Sequence, residues 1–247
     1  MRGVQIGVRR GYFCKVKKQK IIKEQMEKKK VNFEEVVKEK SFFEKNWKTL
    51  CAALAAVIVL VCLFVGYKKL YAEPKEEAAS EALATCHELY KQGNYEQALN
   101  GDGQCKGLLS VASQYGGTEA GNLAQAYIGV CYYNLGKYDE AVKALEAFSP
   151  CSDTTISPAA LAALGNSYAC QKQYDKAVSK LVEAAEKANS CALSPVFLLQ
   201  AGELYELALD NKAKAVECYK KVKENYAAST QVKQGMVDAY IERASVK

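Results

Sequence analysis

Apolar positions fall along this chain in two different patterns. Between Lys48 and Lys68 stand 19 uncharged residues, TLCAALAAVIVLVCLFVGY, apolar without periodicity. At roughly 1.5 Å per residue they make a helix of about 28 Å, close to the ~30 Å of a bilayer's hydrocarbon core. Beyond Pro74 the apolar residues return every three or four positions, in blocks broken by Gly, Asn and Ser-Pro, which predicts antiparallel helix pairs. The clearest pair lies in residues 122–150: Gly129 and Tyr132 on a first helix, Gly136 at the turn, then Tyr138, Ala141, Leu145 and Phe148 on a second. The series recurs 36 residues later as Gly165, Tyr168, Tyr174, Ala177, Leu181 and Ala184. An earlier unit, Tyr90, Gly93, Tyr95 and Ala98, precedes the second by 43 residues. Its surplus falls in the turn-forming Asn100-Gly101-Asp102-Gly103, after which Leu109 resumes the register of Leu145. A fourth unit, Gly202, Tyr205, Ala215, Tyr219 and Val222, gains one residue around Asp210-Asn211. Ser157-Pro158 and Ser194-Pro195 predict helix starts, with Ser as N-cap and Pro at the first helical position. A last helix over Gln231–Ala244, with Val232, Met236, Val237, Tyr240 and Ile241, reads as the cap of the stack.

The resulting division is a basic arm (1–48), a membrane helix (49–67), a linker (68–77), helical repeats (78–227), and a capping helix with its tail (228–247). Charge sharpens it. The arm carries 15 Lys+Arg against 6 Asp+Glu, whereas the rest is net acidic by three, so the overall +6 belongs to the arm. Residues 1–30 read as a solvated tail or as a contact for an anionic membrane surface or RNA, and Met26 is a plausible alternative start. In 31–47, Phe33, Val36, Val37, Phe43 and Trp47 share one helical arc with Phe42 opposite, a pattern open to either a surface helix or a frayed segment. The apolar run is too long and too far from the N-terminus for a signal peptide, and Trp47 and Tyr67 stand at its ends. The basic arm predicts a cytoplasmic N-terminus and repeats on the far side of the membrane.

Chemistry is sparse. There is no CxxC, HExxH or phosphate-binding glycine loop, and His87 is the only histidine among ten cysteines. No catalytic residue, metal site or cofactor is expected, and the chain reads as a non-enzyme. Asn100–Gly103 reads as a turn rather than a calcium loop. Cys86, Cys131, Cys170 and Cys218 fall within predicted helices and read as packing groups. Cys105, Cys151 and Cys191 fall in loops and could pair in an oxidising compartment. Seven cysteines lie beyond residue 67, so at least one is left over within the chain.

The repeat residues resemble the tetratricopeptide repeat, which implies an all-α architecture: one N-terminal membrane helix followed by an α-solenoid of about four repeats and a capping helix. In that register the first helix of each unit lines a concave face, with Leu83, His87 and Tyr90; Ala126, Val130 and Tyr133; Ala162, Asn166 and Ala169; and Leu199, Glu203 and Glu206 as its exposed positions. Some tetratricopeptide domains hold a peptide carboxylate with Lys, Arg and Asn there; only Asn166 matches that polar type, so such a clamp is not expected. The groove reads as largely apolar, with acid only at Glu203 and Glu206, suited to a polypeptide or to packing within an assembly.

The layout, with the segments NYEQALNGD, GGTEAGNLAQAYIGVCYYNLGKYDEAVKALEAF and SPAALAALGNSY, resembles the membrane-anchored tetratricopeptide proteins of Gram-negative bacteria, including the YfgM-type ancillary subunit of the Sec translocon. The resemblance implies a single-pass protein of the inner membrane with a periplasmic repeat domain. It implies a scaffold near export or envelope-assembly machinery, with proteins or unfolded polypeptides, Sec translocon subunits or periplasmic chaperones as partners and no nucleic acid. A structural subunit of a stable membrane complex and a thiol-redox envelope protein are the competing readings.

Overall fold

The computed structural model describes residues 46–246; most of the basic arm and of the amphipathic segment at 31–47 lies outside the described residues. The described residues divide into two units, one ending at Tyr67 and one beginning at Lys68. In the first, residues 46–67 form helix α1, whose side chains, among them Leu54, Leu60, Leu63 and Phe64, are exposed all round. Its apolar stretch is the one place among the described residues long and apolar enough to cross a membrane, and none of it is buried. A helix apolar on every face is stable only in apolar surroundings.

In the second unit a short π-helical turn, Lys68–Ala72, leads into α2 (Glu73–Lys91), α3 (Tyr95–Asn100), α4 (Leu108–Gln114), α5 (Glu119–Asn134), α6 (Tyr138–Ala147), α7 (Ile156–Cys170), α8 (Tyr174–Ala188), α9 (Ser194–Leu207), α10 (Lys212–Asn225), α11 (Thr230–Lys233) and α12 (Met236–Ser245). No strand occurs among the described residues. α5 pairs with α6, α7 with α8 and α9 with α10, while α4, α6 and α8 each also pack on the next unit's first helix. The main contacts therefore run within a hairpin or between adjacent ones, as expected of a stack.

Small residues set the approach of paired helices. A Cβ on Gly129 would lie 2.3 Å from Leu145 Cγ, and one on Gly202 would lie 2.2 Å from the Tyr219 ring, so both helices need a bare backbone there. Three turns close by the same hydrogen bonds: Asn94 N–H to Leu89 O, Lys137 N–H to Tyr132 O and Gln173 N–H to Tyr168 O, at 2.9 to 3.0 Å, each spanning the end of a first helix. The fourth turn closes from Asn211 N–H to Tyr205 O, a loop one residue longer. Here Asp210 takes a φ of 49°, which accounts for the extra residue in the sequence.

The structure corrects several sequence expectations. The second helix of the first unit is broken into α3 and α4, and the register resumes one residue earlier than predicted: Leu108 is fully buried, whereas Leu109 is 39% exposed. The intervening loop is a turn, with the Asp102 carboxylate accepting from the N–H groups of Gln104 and Cys105. Its buried end is held by a disulfide between Cys86 and Cys105, so Cys86 is a bridge and not a packing thiol. Cys170 is exposed rather than packed, as the last residue of α7.

Neither Ser-Pro serine acts as an N-cap. Helix α7 starts at Ile156, and the Asp153 carboxylate instead accepts from Thr155, Ile156 and Ser157 N–H groups and from the Ser157 hydroxyl. Ser194 Oγ donates to Ala185 O and accepts from Ser190 N–H, tying the start of α9 to the last turns of α8. Both serines are fully buried, which a cap side chain facing solvent would not be. The expected capping helix over Gln231–Ala244 is likewise two pieces, α11 and α12, divided at Gly235 with φ 70°. α12 does pack on α10 and closes the stack.

Candidate functional site

In the second unit a cavity of about 480 Å³ lies between α2, the N-terminal half of α5 and the start of α7. Its apolar lining comes from Leu83 and Ala84 on α2, Leu123 and Tyr127 on α5, Phe148 after α6, and Ile156. Ser80, Ala84, Glu119, Cys151 and Ile156 are exposed, so the cavity opens to solvent. The loop after α6 is fixed against α5 by Asn122, which donates to Ser149 O and accepts from Ser149 N–H, both at 2.8 Å.

Three carboxylates, Glu76, Glu119 and Asp153, line this cavity. Two of them serve the helix starts. Glu76 reaches from α2 to accept from the N–H groups of Glu119 and Ala120, each at 2.8 Å, capping α5 together with the Thr118 hydroxyl. Asp153 does the same for α7. Burial pushes its carboxyl upward, but the Ser157 hydroxyl and three backbone amides outweigh burial and hold it at about 2. Among the described residues the Glu119 carboxylate has no partner, and no lysine or arginine lines the cavity.

Beside the cavity the rings of His87, Tyr90, Tyr95 and Tyr127 form one cluster: His87 lies 4.9 Å from Tyr127, and Tyr90 lies 5.0 Å from Tyr127 and 6.0 Å from Tyr95. Burial raises the Tyr90 and Tyr127 hydroxyls above the ordinary phenol range, so both stay neutral donors.

Of the sequence-predicted groove residues, Leu83 and His87 line the cavity and Tyr90 joins the ring cluster. Val130, Tyr133, Asn166, Ala169 and Glu203 are half-buried, and Tyr133 packs on Tyr138 at 5.8 Å. Four positions expected to be exposed are buried: Leu83, Ala126, Ala162 and Leu199 belong to the three apolar cores, because neighbouring helices close over them. Glu206 is not free acid either; Arg243 grips it with two hydrogen bonds of 2.8 and 2.9 Å and Tyr219 donates a third.

Sequence reasoning missed Leu123, Tyr127, Glu76, Glu119 and Asp153. Equivalent positions on successive first helices point the same way and so do not meet. The residue facing His87 is Tyr127, about a turn before its register partner Val130. The acids sit at or across from helix starts, outside the repeat register. A Glu at the first position of α5 was the available signal.

The cysteines divide by environment. Burial pushes the Cys131 thiol up to about 12 and the Cys218 thiol up to about 11, which leaves both protonated and unreactive at neutral pH. Cys151 and Cys191 are exposed thiols.

Comparison of the chain with curated proteins finds no match. The model of one family, the tetratricopeptide repeat-like domain, matches residues 40–242. Because that match spans most of the chain, and because the stacked hairpins and their repeated turn closures are what such repeats build, the chain belongs to the tetratricopeptide repeat-like domain family.

Proposed function

We propose that the protein is a membrane-tethered scaffold: the single span of 49–67 holds the repeat domain at the periplasmic face of the inner membrane, where its groove takes up polypeptides during export or envelope assembly. The observation that carries this reading is a solvent-open apolar cavity walled by the first helices of two successive repeats, next to a ring cluster. Such surfaces bind polypeptides through side-chain burial. The exposed apolar α1 supports tethering. The buried Cys86–Cys105 bridge supports an oxidising compartment, where such bonds persist. The YfgM-type resemblance supports translocon subunits or periplasmic chaperones as partners. We read the protein as non-enzymatic, since its carboxylates at the groove are mostly committed to helix starts.

In-membrane photocrosslinking from Val130 and Tyr133 tests the reading. Capture of translocon or chaperone subunits, or of chains in transit, is the expected result; capture of copies of this chain alone overturns it. A second reading, a structural subunit of a stable complex, is favoured by Leu207, an apolar side chain 77% exposed at the end of α9. Co-purification of a fixed partner in gentle detergent would select it.

A further inference from the structure

The cavity between α2, α5 and α7 has a chemical bias that shape alone does not imply. Its floor is apolar, through Leu83, Leu123, Tyr127 and Phe148, so what it buries is apolar side chain. Its volume of about 480 Å³ suits side chains of a segment rather than a folded surface. Its rim carries Glu76, Glu119 and Asp153, with no lysine or arginine among the lining residues to balance them.

The three carboxylates are not equally available. A carboxylate offers about four lone pairs. Asp153 accepts from four groups, three backbone N–H and the Ser157 hydroxyl, and is saturated. Glu76 accepts two backbone N–H groups and keeps capacity for more. Glu119 is exposed, and among the described residues its carboxylate makes no hydrogen bond or ion pair. Glu76 is bonded to the backbone of Glu119 itself, so two acidic groups with spare acceptors stand together at one edge of an apolar cleft.

We propose that this groove selects polypeptide segments in which a lysine or arginine closely neighbours a large apolar side chain, the apolar group filling the cavity and the cation meeting Glu119 and Glu76. The proposal rests on the scaffold reading and narrows its partner class. A segment bearing acid beside the apolar group would bring like charge to a partly desolvated rim and is rejected.

The test uses the full chain in nanodiscs and three fluorescein-labelled peptides, identical in apolar content, with Lys, Gln or Glu flanking a Leu-Phe pair. Anisotropy titrations at low ionic strength should show the Lys peptide binding about tenfold more tightly than the Glu peptide, with the gap shrinking at high salt. Glu119→Lys should abolish or reverse the order, while Glu224→Lys, exposed on α10, should leave it. Ala84→Trp fills the cavity from an exposed helix position. With an unchanged thermal melt, it should remove binding of all three peptides. Equal affinity for the Lys and Glu peptides, or a Lys preference that survives Glu119→Lys, overturns the proposal while leaving the scaffold reading intact. Absence of binding by all three peptides also overturns it, and the crosslinking from Tyr133 then decides the scaffold reading separately.

Discussion

At the residue level the sharpest departure from the repeat pattern is Lys172. It stands where Gly93 and Gly136 close the first two turns, and like them it takes a positive φ, 63° against 77° and 73°. An L side chain in that region crowds its own backbone, a cost of about 1 kcal/mol that glycine avoids. Lys172→Gly should therefore stabilise the domain by roughly 0.5–1 kcal/mol, read as a higher urea midpoint at unchanged m. A lower midpoint would mean that the lysine makes a compensating contact.

Asp153 gives a second residue-level expectation. Its folded carboxyl is held at about 2, below the ordinary 3.8, so it favours the native state above about pH 4 and that contribution fades as pH falls toward 2. Asp153→Ala should cost about 1 kcal/mol at neutral pH through loss of the cap, and the difference between variant and parent should vanish in acid. A difference that is constant from pH 7 to 2 would show that the carboxylate's charge is not what matters.

The elements depart from regularity mainly in the first repeat. Its second helix is interrupted by 101–107, a loop whose Gly101 and Gly107 have φ of 94° and 85°. The Cys86–Cys105 bridge spans 19 residues and joins α2 to the loop between α3 and α4. Closing a ring of that size removes unfolded-state freedom worth about 3 kcal/mol. Cys105→Ser should thus lower stability by up to that amount. It should also raise amide exchange in α3 and α4 before α7 to α10, since each hairpin packs mainly on its neighbours. Uniform exchange across all repeats would contradict that order. At the other end, Arg243 on α12 neutralises Glu206 on α9, whose side chain is only 7% exposed. Hydrogen bonding to Arg243 holds the Glu206 carboxyl below its ordinary range. Arg243→Ala leaves that carboxylate with the Tyr219 hydroxyl but no cation and should cost about 1–2 kcal/mol in a thermal or urea melt, whereas the exposed pair of Lys91 and Glu88 should contribute little if removed.

For the whole molecule, the positive charge gathers in the first 48 residues and the remainder is acidic, with 19 uncharged residues between. Taken with the exposed apolar α1, this predicts that alkaline carbonate leaves the full chain in the membrane pellet. Protease added outside spheroplasts should remove the repeats. Release by carbonate, or protection of residues beyond 70 in intact spheroplasts, would end the anchored, outward-facing reading.

The repeat architecture is legible in the sequence because helical periodicity, turn glycines and helix-pair spacing are local properties, and the spacing of Gly129, Gly165 and Gly202 is enough to mark the close approaches. The apolar run is legible for the same reason: length and absence of charge need no partner to be read. Only the tertiary structure decided which residues the groove presents. Leu199 and Ala126 are buried because other helices cover them, while Leu123 and Tyr127 reach the cavity because adjacent helices meet about a turn out of register. It alone joined Cys86 to Cys105 and placed Glu76 on the start of a helix 43 residues away. These are contacts between segments, and a periodic pattern along one chain carries the face of each helix but not the identity of what that face meets.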